Sequence, residues 1–174
     1  MSRFDQLTDT VETYQALAAE NYARVRQLAE ELRAGLCDHL GASDGVCVQL
    51  VPPQGEFQPK AYGDNAFSVA PRGFRPLGPI AFGIAVRVTR ATDWIRVTMQ
   101  CQKIGEHLIL DIQGGESFKL DLPLTGDDSI KLFEYVYQHV LNWFQSRIDQ
   151  YQQGEYGTRE IGFDFSRETD SANA

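Results

Sequence analysis

The sequence predicts an α+β fold: a long N-terminal helix, an antiparallel meander sheet of about five strands, and an aromatic C-terminal helix, both helices on one sheet face. Three patterns carry the prediction. Apolar residues recur at spacings of three and four near the N-terminus, alternate with mostly polar ones between residues 80 and 122, and return to helical spacing after residue 129. With 174 residues, 43% hydrophobic and 23% charged, the chain has an ordinary globular composition. It is read as a single domain over 1–165 with a disordered tail at 166–174.

The first helix is set by Phe4, Leu7, Val11, Tyr14, Ala18, Asn21, Val25, Leu28 and Leu32, with no proline or glycine between residues 3 and 34. Ser2 and Asp5 have capping-box spacing, and Gly35 or Gly41 supplies the stop. A helix of this extent is roughly 46 Å long, whereas a compact chain of this size is roughly 40 Å across, so part of it should overhang. Read at a repeat of 3.5, the seam joins two subunits, Ala18 allowing close approach and Asn21 fixing register. Read at 3.6 and continued through Leu36 and Leu40, it lies on the protein's own sheet.

Val46–Val51 is a β-branched run stopped by Pro52 and Pro53. From Pro52 to Pro79 the chain holds six of its seven prolines, leaving room at most for a short strand near Phe67–Val69. Four runs then place Phe82, Val97, Leu110 and Leu120 with their alternate neighbours on a shared apolar face. Parity suggests two-residue loops at Ala91-Thr92 and Ile104-Gly105, pairing Val88 with Ile95 and Cys101 with Leu108. It suggests a three-residue loop, Gly114-Gly115-Glu116, pairing Ile112 with Phe118 and carrying a glycine of positive φ. On the other face these registers set Arg87 beside Arg96, His107 opposite Gln102, and Asp111 between Thr98 and Lys119. Asp127, Asp128 and Ser129 cap a second helix of about 24 residues ending at Gly154, and Ile161, Phe163 and Phe165 alternate as an edge strand.

A formal net charge of −8 argues against nucleic acid and anionic membrane surfaces as partners. There is no apolar run of membrane-spanning length and no signal-peptide pattern, which with the cysteine usage points to the cytoplasm. Cys37, Cys47 and Cys101 are expected to be reduced thiols, Cys101 a small hydrophobe in a strand. His39, His107 and His139 lack metal-ligand spacing, and phosphate-cradling, hydrolase and zinc-protease motifs do not occur. No catalytic residue, metal or cofactor is assigned, and the balance is against an enzyme.

Two regions stand out. In the proline-rich segment Lys60, Tyr62, Arg72, Phe74 and Arg75 form a candidate ligand site, since aromatics with arginines grip flat ligands or anions. Gly83 is unusually small, and Trp94 and Ile109 unusually apolar, for an exposed sheet face, so the proline-rich segment, the C-terminal tail or a second subunit should cover them. With Val11, Tyr14, Asn21 and Val25 of the first helix they make up a candidate oligomer or partner interface. The leading expectation is a non-catalytic, cytoplasmic protein-interaction or chaperone/adaptor-like module, homodimeric and binding another protein or itself. The alternative is a small-molecule binding protein or small enzyme, with an anion held in a pocket between sheet and proline-rich loop. Small, acidic and built of helices flanking a sheet, the chain resembles the secretion chaperones of bacteria in composition. Those insert a helix between strands where this chain has uninterrupted hairpins, so the resemblance assigns no residues.

Overall fold

The computed structural model describes residues 1–42, 45–69, 73–154 and 162–168. Helix α1 spans Arg3–Leu40, longer than expected because Gly35 continues the helix and Gly41, at φ 71°, closes it. Ser2 and Asp5 form the capping box. Strands β1 (Val48–Val51), β2 (Ile80–Arg87), β3 (Asp93–Ile104), β4 (His107–Ile112) and β5 (Ser117–Leu120) form an antiparallel sheet in chain order. A sixth, β6 (Asp164–Arg167), pairs with the first half of β3 beside β4 and takes in the first residues of the expected tail. Phe67 makes only a single bridge to Phe82. Helix α2 spans Gly126–Gln152, and its N-cap is Thr125, whose hydroxyl accepts from the Asp128 amide; Asp127 and Asp128 occupy the first turn.

The apolar faces of β1–β5 meet α1 and α2 in one core, centred on Phe82, Ile84, Val97, Met99 and Leu110 with Leu28, Leu32 and Leu36 of α1. Leu132, Phe133 and Val136 bring α2 into it. A Cβ on Gly35 would stand 2.2 Å from the Phe133 ring, so this glycine lets the two helices approach.

Every apolar residue of the meander lies on the expected face, but each hairpin is shifted by two residues. Val86, not Val88, opposes Ile95, across a loop from Thr89 to Thr92. That loop is closed by the Thr89 hydroxyl, which bonds the Asp93 carboxylate at 2.9 Å and amide at 3.0 Å. Leu110 opposes Cys101, because Gly105 at φ 62° starts a two-residue Gly105-Glu106 turn. Leu110 also opposes Phe118, the loop being Gln113-Gly114-Gly115 with Gly114 at φ 75°. Hence Arg87 stands opposite Trp94 rather than Arg96, His107 opposite Ile104, and Asp111 between Gln100 and Ser117.

The expectation of reduced thiols fails for two cysteines. Cys37 near the end of α1 and Cys47 before β1 form a disulfide, their Cα atoms 5.6 Å apart, while Cys101 is a buried free thiol. Among the described residues no helix is long and apolar enough to cross a membrane.

Candidate functional site

The sheet face away from the helices is covered by the start of the proline-rich segment. Val51, Phe57, Ala85 and Trp94 form a second, small core there, with Tyr62 against it. Arg96 of β3 fastens this cover. Its side chain is only 3% exposed, and it donates to the Pro52 carbonyl at 3.1 Å and the Gly55 carbonyl at 2.8 Å. It also pairs with Asp164 of β6 at 2.5 Å and lies over the Phe57 ring. Gly83 is small because a Cβ there would come within 2.8 Å of the Arg96 side chain and 3.0 Å of the Pro52 carbonyl. Gly83 and Trp94 are thus used inside the protein and leave the list of partner-facing residues; Ile109 is half-buried between Gln102 and Lys119.

The candidate ligand residues are each engaged locally. Arg75 lies over the Tyr22 ring at 4.4 Å, and the Tyr22 hydroxyl donates to Asp64, which also pairs with Arg26. Phe74 leans on Tyr14, whose hydroxyl donates to the Arg75 carbonyl. Lys60 sits over Tyr62, whose hydroxyl accepts from the Gln58 amide. The contacts of Asp64, Phe74 and Arg75 pin the segment to α1, and those among Lys60, Tyr62 and Gln58 stay within it. Arg72 lies outside the described residues. A hollow of about 600 Å³ does lie between the sheet and the start of this segment, but its arginine is Arg96, already committed, and it is faced by Asp111 and Asp164. Those carboxylates disfavour an anion.

The interface residues on α1 divide into two groups. Val25 is fully buried in the core, and Asn21 is 5% exposed, its amide donating to the Gly78 carbonyl at 3.2 Å. Neither can face a partner. Before Ala18, however, α1 buries no residue. Phe4 is 73% exposed and Leu7 60%, with Tyr14 and half-buried Val11 on the same seam, while Leu17, 47% exposed, lies off it. Residues 3–13 form an arm roughly 16 Å long that reaches past the contact of Tyr14 with Phe74 and Arg75.

Sequence reasoning did not find an apolar cleft of about 520 Å³ between the two helices and the end of the β2–β3 hairpin. Leu36 and Leu40 of α1, Val86 and Val88, and Phe165 of β6 line it opposite Tyr137, Val140 and Phe144 of α2. The broad aromatic stripe of α2, wider than its core contact requires, was the available signal. The titratable groups offer little chemistry. Burial pushes the Cys101 thiol up to about 12. His39 and His107 contact Glu134 and Asp121 at 2.8 and 2.6 Å. Among the described residues no cluster of three or more His, Cys, Asp or Glu could hold a metal ion. Compared with known proteins, the chain matches no family model, no curated protein and no solved structure.

Proposed function

We propose that this chain is a non-catalytic protein-interaction module that works as a homodimer, with the arm of α1 as its self-association element. The observation that carries the reading is the run of apolar side chains on residues 4–17, outside the protein's own core. This extension of α1 holds its apolar side chains in water, so burying them on an apolar partner surface stabilises the assembly. Sedimentation velocity tests this: the wild type should dimerise at micromolar concentration, and Val11→Glu or removal of residues 1–13 should give a folded monomer whose urea midpoint no longer rises with protein concentration. A wild-type monomer would sink the reading.

The apolar cleft supports a second reading, a small-molecule binding protein, at a different place from the hollow expected beside the proline-rich loop. Copurification of a bound apolar molecule would favour it. A cytoplasmic location remains part of the proposal on the sequence grounds given above. The Cys37–Cys47 bond stands against it, because stable disulfides belong to oxidising compartments.

A further inference from the structure

Resting on the self-association proposed above, we infer that the arm's partner surface is the apolar cleft of a second copy, so that the dimer forms by reciprocal insertion of each arm between the partner's α1, α2 and β2–β3 hairpin. The two unpartnered apolar features are complementary in kind. The arm presents Phe4, Leu7 and Val11 at helical spacings of three and four, the anchors of a helix laid in a groove, with Tyr14, already held against Phe74, at its base. The cleft offers Leu36 and Leu40 on one side and Tyr137, Val140 and Phe144 on the other, with Phe165 at 57% exposure on its border.

Charge permits the pairing. At 100° per residue the seam of the arm is flanked by Thr8, Thr10 and Gln15, while Asp5, Asp9 and Glu12 point to the far side of the helix. The charged members of the cleft lining, Arg87 and Asp93, therefore face no carboxylate on this seam. The length of α1 suits a closed pair as well. With two copies antiparallel about a two-fold axis near Arg24, residues at about 8–12 of one copy lie level with Leu36 and Leu40 of the other. Each arm and cleft would bury on the order of 400 Å² apiece, which over two reciprocal contacts reaches the total of roughly 1,200–2,000 Å² found in stable interfaces.

The test uses the full chain and charges the cleft at exposed positions, Tyr137→Glu and Phe165→Glu, with circular dichroism to confirm folding. Both should weaken the dimer at least tenfold in sedimentation velocity, as Val11→Glu should. In parallel, a mixture of Leu7→Cys and Tyr137→Cys copies should cross-link between chains under mild oxidant, whereas Val11→Cys alone should not; this arm holds even where a glutamate variant unfolds. A dimer that survives the cleft charges yet is lost with Val11→Glu, or one that cross-links through Val11→Cys, means that arms pair with arms: the inference falls and the proposed function stands. A wild type monomeric at every concentration overturns both, and a monomer carrying a copurified apolar molecule does so in favour of the small-molecule reading.

Discussion

Arg96 is a charged residue in the middle of a strand whose side chain has almost left water, and its two terminal nitrogens explain why. They satisfy the carbonyls of Pro52 and Gly55, which the proline-rich segment brings under cover, and they meet Asp164 from β6. Replacing Arg96 by methionine keeps most of the bulk but removes the donors to these part-buried carbonyls and the partner of Asp164. The expected loss is roughly 2–4 kcal/mol, read from urea denaturation. Asp164→Asn should cost less, since that carboxylate is 67% exposed. His139 couples stability to pH just below neutrality. Burial lowers its pKa from the ordinary 6.5, partly offset by a hydrogen bond to the Gln113 backbone. Its ring packs on Tyr135 and Phe163, and its Nε2 is buried without a hydrogen-bond partner. A folded-state pKa below the unfolded one means that the unfolded chain binds the extra proton first. The contribution of neutral His139 is therefore complete above about pH 6.5 and is withdrawn as pH falls below it. Urea midpoints measured from pH 7 to pH 5 should fall, and fall less in His139→Gln.

At the scale of elements, the alternation of side chains determined which face each strand presents and left the register open in steps of two. Turn chemistry closed that gap. Thr89 and Asp93 bond across their loop, and Gly105 and Gly114 adopt positive φ. Tyr135 of α2 donates nothing to the third loop but accepts the Glu116 amide at 2.8 Å, a tertiary contact that no reading of the loop alone can supply. The strand pattern was legible because every second residue meets the same core. The disulfide was not, because Cys37 and Cys47 lie on different elements whose meeting depends on where α1 ends. It closes a loop of sequence separation 10, worth about 3 kcal/mol if loop entropy dominates. Titration of thiols in denaturant without reductant should find one, Cys101, and find three after reduction, with a lower melting temperature in the reduced protein.

For the whole molecule, the overhang of α1 was legible from length alone: the helix that the spacing demands is longer than a body of this size. The small Gly83 and apolar Trp94 led the sequence to suggest a cover for this face, by the proline-rich segment, the C-terminal tail or a second subunit, without deciding among them. The answer required Arg96 and its long-range carbonyl partners. The cleft was hidden because it belongs to no single element, arising where α2 diverges from the sheet near the β2–β3 hairpin.

The placement of β6 bears on how the molecule is made. Between Asp93 and Arg96, one edge of β3 is paired by residues 164–167, close to the end of the sequence. A ribosome delivers those residues only after β1–β5 and both helices, so the nascent protein carries an open backbone edge, and an Arg96 still lacking its carboxylate, until β6 has followed them.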